Sequence, residues 1–195
     1  SIEESFGSGT LLKGGYVLTA YHLVHMTRGG LEDLKAIEEV EIKEDISLVA
    51  RDGTKYLLKE VAGDKEVDYS LLKTPEDMPN IKSFPYAIGN SDDLGNGNVL
   101  YISGNAKNVG INLRTGIVSQ LYGSPNDVTG FVLSNGANSG DSGCPVLALR
   151  DGKIELVGIV TNVMPNVNDI AYAPAINTII KSLDKQLGDK NPLKR

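Results

Sequence analysis

Apolar positions in this chain come in short runs, three to seven residues long, cut by glycine, proline and Asx-rich turns. That pattern predicts strands rather than long helices. Candidate strands are Thr10–Leu12, Tyr16–Thr19, 47–50, 55–61, 70–73, 99–103, 114–121, 130–133, 145–149, 154–160 and 170–173. Arg51-Asp52-Gly53-Thr54 and Asp151-Gly152 read as hairpin turns, with Asp-Gly supplying positive φ angles. Helical spacing occurs twice. Leu31, Leu34 and Ile37 predict a short helix or an ordered surface insertion. Ile176, Ile179, Ile180, Leu183 and Leu187 fall on one face and predict a helix over Ile176–Leu187, stopped by Gly188. The residues after it, 189–195, read as a frayed tail. The fold class is therefore all-β with a C-terminal α-helix.

The polar stretch 74–80 carries two prolines and no periodicity, and it reads as a linker. It divides the chain into an N-terminal half, 1–78, and a C-terminal half, 79–195. With 195 residues, 41% of them hydrophobic, two small subdomains can each bury a core. Net charge is −6 and the 19 basic residues are scattered, which argues against nucleic acid as a partner. No apolar run approaches the roughly 20 residues of a membrane-spanning helix. The start at Ser1 carries no leader pattern, and the compartment and oligomeric state stay open. One cysteine, Cys144, excludes an internal disulfide.

Candidate chemistry lies in three distant segments. Ser139-Gly140-Asp141-Ser142-Gly143-Cys144-Pro145 sets a serine between glycines on a tight loop, where a hydroxyl can be presented as a nucleophile. Gly15-Tyr16-Val17-Leu18-Thr19-Ala20-Tyr21-His22 is a strand running into a histidine, the natural base for a serine proton. Val67-Asp68-Tyr69-Ser70-Leu71-Leu72-Lys73 opens a strand with an aspartate that can hold the imidazole in one tautomer. The amides of Gly140 and Ser142 are candidate oxyanion donors. Other readings stand beside these. His25 is the second histidine and reads as a core or surface residue. Asp64 and Asp45 are weaker acids because neither opens a comparable strand. Cys144 lies two residues past the serine and reads as a small buried thiol.

The order His22, Asp68, Ser142 resembles that of trypsin-like serine proteases of the chymotrypsin architecture, most nearly the bacterial HtrA/Deg type. Phe6-Gly7-Ser8-Gly9-Thr10-Leu11-Leu12, Ala87-Ile88-Gly89-Asn90 and Thr115-Gly116-Ile117-Val118-Ser119 extend the resemblance over most of the chain. It implies two six-stranded antiparallel β-barrels with the active site between them. It also implies a serine endopeptidase acting on proteins or peptides, with no metal and no cofactor. A catalytically silent module of the same fold, binding extended peptides, is the second expectation.

Departures from the resemblance are Asp141 where HtrA-like enzymes carry asparagine, Cys144 for a common glycine, a longer insertion at 26–44, and no PDZ domain expected after the helix. Only a few residues precede the first strand, so the partner of Asp141 is expected to be internal: backbone amides, a hydroxyl, or a lysine or arginine. By position in relatives, Gly136 lies at the base of the specificity pocket, Thr161-Asn162-Val163 pairs with substrate backbone, and Ile170 walls the pocket. None is acidic, so a small or medium apolar side chain is expected before the scissile bond.

Overall fold

A computed structural model describes residues 6–27, 41–43, 46–50, 52–79, 86–108, 110–163 and 170–194. In the first half β1 (Thr10–Leu12) and β2 (Tyr16–Thr19) are followed by a single helical turn, α1 (Tyr21–Val24). Then come β3 (His25–Thr27), β4 (Glu41–Lys43), β5 (Ser47–Val49), β6 (Lys55–Leu57), β7 (Lys59–Asp64) and β8 (Tyr69–Lys73). Four of them form an antiparallel sheet in the order β1-β2-β8-β7, while β3-β4 and β5-β6 are hairpins. Strand β2 is buried on both faces. Leu18 enters one apolar cluster with Leu71 and Tyr69, and Val17 enters another with Leu72 and Val24.

The second half supplies β9 (Ala87–Ile88), β10 (Val99–Gly104), β11 (Asn112–Ser124), β12 (Asp127–Leu133), β13 (Pro145–Arg150), β14 (Lys153–Ile159), β15 (Asn162–Val163) and β16 (Ala171–Pro174). They form one curled sheet ordered β15-β16-β12-β11-β10-β13-β14-β9. All its pairings are antiparallel except β9 with β14. Its own core holds Leu100, Ile102, Phe131, Leu133, Val146 and Val157. This is the all-β, chymotrypsin-like architecture with a C-terminal helix that the sequence predicts.

The helix α2 (Ile176–Leu187) matches the predicted span. Ile176, Ile179 and Leu183 are fully buried, in a cluster with Leu12, Leu18 and Leu71 of the first sheet and Leu147, Leu156 and Ile159 of the second. Its N-terminus has no side-chain cap of its own; the Asn177 N–H donates instead to Ser91 Oγ at 3.1 Å.

The tail departs from expectation. Residues 189–194 are not frayed: Leu193 has no exposure and joins the helix's cluster. Asn191 Nδ2 donates to Asp184 Oδ1 at 2.8 Å and to the Ile180 carbonyl at 3.4 Å, and Asn191 Oδ1 accepts from the Leu193 N–H at 2.9 Å. One apolar residue among charged ones carries no periodicity, so a sequence pattern does not expose this anchor. The predicted strand 55–61 is also interrupted at Leu58, whose N–H donates to the Ile46 carbonyl. In the first Asp-Gly turn Gly53 takes positive φ and Asp52 does not, whereas Asp151 and Gly152 both do. The expected helix at 31–37 lies outside the described residues.

Leu193→Ala is expected to lower unfolding free energy by about 2–5 kcal/mol, the usual cost of emptying a buried leucine site. Urea denaturation measures this; a change under about 0.5 kcal/mol, the usual range for surface positions, would return the tail to the frayed class.

Candidate active site

Antiparallel pairing between β2 and β8 sets Thr19 opposite Ser70. The end of β2 and the start of β8 therefore share one edge of the sheet, and His22 and Asp68 leave from that edge. His22 Nδ1 lies 2.9 Å from Asp68 Oδ2 and 3.1 Å from Oδ1. An ionised carboxylate only accepts, so this contact selects the tautomer with its proton on Nδ1, the one in which a neutral imidazole offers Nε2 as the base. The His22 N–H also donates to Asp68 Oδ1 at 3.1 Å, which fixes the carboxylate from two directions.

Asp68 takes positive φ (65°), a conformation aspartate tolerates better than most residues. Asp64 builds the turn that holds it there. Its Oδ1 accepts from the Glu66 and Val67 N–H groups at 3.0 and 3.2 Å, and its carbonyl accepts from the Asp68 N–H at 2.9 Å. Its other carboxylate oxygen accepts from Ser182 Oγ on α2 at 2.7 Å. Asp64 is thus engaged structurally, and Asp45 lies outside the described residues. His25 lines the same cavity but is engaged by other partners. It stacks on Tyr21 with centroids 4.0 Å apart, and its Nε2 lies 3.0 Å from Glu60, which also accepts from Ser70 Oγ.

Ser142 sits in the loop between β12 and β13. Around the serine the loop's carbonyls are engaged one after another. The Ser139 carbonyl accepts from the Lys107 N–H at 2.7 Å, and the Gly140 carbonyl from Ser8 Oγ at 2.6 Å. The Asp141 N–H donates to the Asn138 carbonyl, and the Asp141 carbonyl accepts from the Cys144 N–H. The Ser142 carbonyl accepts from the Ser8 N–H at 2.8 Å, and the Gly143 N–H donates to the Val160 carbonyl at 2.7 Å. Among the described residues, neither the Gly140 N–H nor the Ser142 N–H has a protein acceptor. These are the two amides the sequence expected as oxyanion donors. Gly140 and Gly143 both take positive φ (96° and 86°), and a Cβ on Gly143 would strike the Ser8 carbonyl and Thr19 Oγ1.

Two contacts bring this loop to the histidine. The Ser8 carbonyl that touches Gly143 accepts from Thr19 Oγ1 at 2.8 Å, three residues before His22. Val160, bonded to Gly143 and Cys144, leads into Thr161 and Asn162, which line a cavity with His22, Asp68 and Tyr172. Among the hydrogen bonds of the described residues none joins Ser142 to His22.

The partner of Asp141 is internal, as expected, and it is Arg114 on β11. Asp141 has no exposure; its Oδ1 accepts from Arg114 Nη2 at 2.5 Å and its Oδ2 from the Asn138 N–H at 2.7 Å. Arg114 Nη1 donates onward to the Gly136 carbonyl at 2.9 Å. Burial, and then the Asp141 charge, push the Cys144 thiol well above its ordinary value, which leaves it un-ionised and a poor nucleophile.

Of the expected specificity residues, Thr161 and Asn162 line the cavity beside His22 and Gly136 and Ile170 do not. Asn162 and Val163 form β15, the edge strand of the large sheet, paired with Tyr172 and Ala171. His25, Tyr172, Tyr21 and the 65–67 turn complete the cavity lining, and none of them was expected there from the sequence. The cue for Tyr172 was its place two residues after Ile170 on the same predicted strand. Arg114 was missed too, though a buried Asp141 requires a cation and arginine is the residue best suited to a buried pair.

The model of the trypsin-like peptidase domain matches residues 7–159. The chain belongs to that family. Solved structures similar to this trypsin-like domain include the HtrA-type protease AlgW with a decapeptide. It is 24% identical with a TM-score of 0.70, covering 96% of this chain and 54% of that one. The serine endoprotease from Yersinia pestis is 24% identical at a TM-score of 0.69, covering 97% and 60%. Rv3671c from M. tuberculosis H37Rv, solved as an inactive mutant, is 18% identical at 0.66, covering 96% and 84%. The likeness is one of fold, and the chain spans little more than half the length of the first two. No curated protein matches the chain.

The Arg114–Asp141 pair is asymmetric, because Arg114 keeps 24% of its side chain exposed and Asp141 none. Arg114→Met strands a buried carboxylate and is expected to cost about 3–5 kcal/mol. Asp141→Asn leaves an arginine that water can reach, and it keeps an oxygen for the pair, so it is expected to cost clearly less. Chemical denaturation of both variants decides; equal losses, or a larger loss in Asp141→Asn, would contradict the asymmetry. Cys144 is expected to resist a thiol-reactive disulfide reagent at pH 8 in the folded protein and to react once in urea. Rapid labelling of the native state would place the thiol elsewhere.

Proposed function

We propose that this chain is a serine endopeptidase domain, with residues 1–78 supplying His22 and Asp68 and residues 79–195 supplying Ser142. The observation that carries the proposal is the loop around Ser142: among the described residues neither the Gly140 nor the Ser142 N–H has a protein acceptor, while the carbonyls of Gly140, Asp141 and Ser142 are all held. Donors aimed in advance at a developing oxyanion are worth about 3–4 kcal/mol each in transition-state stabilisation.

In this reading His22 Nε2 takes the Ser142 proton as Oγ attacks the peptide carbonyl. Asp68, bonded to Nδ1, holds the ring and stabilises the imidazolium that forms. The carbonyl oxygen, now negative, accepts from the Gly140 and Ser142 N–H groups. Collapse of the tetrahedral intermediate expels the amine, which takes its proton from His22, and leaves an acyl ester on Ser142. Water, deprotonated by the same imidazole, then hydrolyses the ester. No step requires a metal or cofactor. Among the described residues β15 ends the large sheet, which supports the further proposal that an extended substrate pairs there through its backbone. Gly136, Val163 and Ile170 offer no carboxylate, so a small or medium apolar side chain before the scissile bond fits this reading.

A fluorophosphonate probe is expected to label Ser142 in the wild type and nothing in Ser142→Ala. Turnover of casein or a peptide library is expected to vanish in His22→Ala. Peptide binding with no turnover in the wild type would instead favour the silent module. A cleavage profile dominated by lysine or arginine would overturn the specificity reading alone.

A further inference from the structure

Ser8 belongs to the first half of the chain, yet its hydrogen bonds hold the loop of the second. Its N–H donates to the Ser142 carbonyl at 2.8 Å and its carbonyl accepts from Thr19 Oγ1 at 2.8 Å. Its hydroxyl donates to the Gly140 carbonyl at 2.6 Å and accepts from the Asn105 N–H at 3.2 Å. One small residue thus ties the β2 end through its backbone, the β10–β11 connection through its hydroxyl, and the Ser142 loop through both.

The hydroxyl acts where the loop is least constrained by its own chemistry. Gly140 has φ of +96° and no Cβ, so its two flanking peptides can rotate at low cost. In a trans peptide the C=O and N–H point in opposite directions. The Lys107 N–H holds the Ser139 carbonyl, which aims the Gly140 N–H away from the β10–β11 connection. The Ser8 hydroxyl holds the next carbonyl, that of Gly140, and with it the Asp141 N–H on the Asn138 carbonyl. Removing the hydroxyl leaves the Gly140 carbonyl and the Asn105 N–H without these partners. The 140–141 peptide is then free to rotate, and the Gly140 Cα, whose N–H is held from the other side through the Ser139 carbonyl, loses one of its two anchors.

We propose that Ser8 is a positioning residue for the oxyanion site: its hydroxyl, bridging Asn105 and Gly140, holds the peptide that follows Gly140 and so anchors the Cα from which the Gly140 N–H is presented. This rests on the endopeptidase reading above. Ser8 touches no reacting atom in it and acts through Gly140.

The test compares wild type, Ser8→Ala and Ser8→Cys, the last keeping the volume and a weaker donor. In Ser8→Ala kcat is expected to fall about tenfold to a hundredfold with KM within about twofold, because the lost interaction is made in the transition state only. Affinity for a peptide boronate, whose tetrahedral adduct fills the same site, should fall by a similar factor, with Ser8→Cys intermediate in both. Thermal melts show whether the folded fraction explains any loss. Unchanged kcat, or a loss in KM alone, would overturn the proposal; if Ser8→Ala does not fold, Ser8→Cys against wild type decides in the same way. Amide hydrogen exchange provides an arm independent of turnover: exchange at Asn105 and Asp141 should accelerate in Ser8→Ala. A wild type that turns nothing over would sink the endopeptidase reading while leaving this arm to decide on Ser8, and unchanged exchange there would overturn the proposal by itself.

Discussion

A carboxylate with no access to water sits inside the curl of the loop that presents Ser142. Its burial is a strong constraint, since an unpaired charge there would cost more than the fold can spare. Much of the neighbourhood follows from satisfying Asp141. Arg114 on β11 supplies the charge and the Asn138 N–H closes a turn onto the second oxygen. Position 104 must be glycine, because a Cβ would collide with the carboxylate and with Cys144. The loop is wound around its own side chain, and the hydroxyl next in sequence is held outward as a result.

The partner group arrives by a different logic. His22 and Asp68 are 46 residues apart, and simple strand pairing joins them. The register of β2 against β8 delivers both to one sheet edge, and the Asp64-centred turn forces Asp68 into a positive φ. Strain of this kind persists only where surrounding contacts over-determine it. Here those contacts are three backbone amides and the hydroxyl of Ser182 from the C-terminal helix.

Much of this was legible in the sequence, because hydrophobic alternation and turn chemistry are local signals. The long strands and α2 were placed within a few residues, and His22, Asp68 and Ser142 stand out as three motifs in one order. What was missed depends on contacts distant in sequence. Two-residue strands such as β9 and β15 are too short to show a period. Arg114 is an ordinary strand residue until Asp141 is known to be buried beside it. Leu193 looks like a stray apolar residue until the helix has turned back over both sheets. Ser8 appears in a glycine-rich motif whose spacing shows nothing of its four bonds. The specificity residues were placed by analogy to loops of variable length, and of them Thr161 and Asn162 are the ones that line the cavity with His22.

The helix that closes the chain rests on both sheets at once. Leu12, Leu18 and Leu71 share a single apolar cluster with Leu147, Leu156, Ile159 and Ile179. Two halves joined only by a connecting segment could swing apart or melt separately. Halves that share a core cannot do so without exposing several fully buried leucines and isoleucines, each worth roughly 1.5–3 kcal/mol. Among the described residues, the shared core therefore holds the sheet that carries His22 against the sheet that carries the Ser142 loop. Thermal unfolding of the two sheets should coincide as one cooperative event, and adjustment at the site falls to its loops.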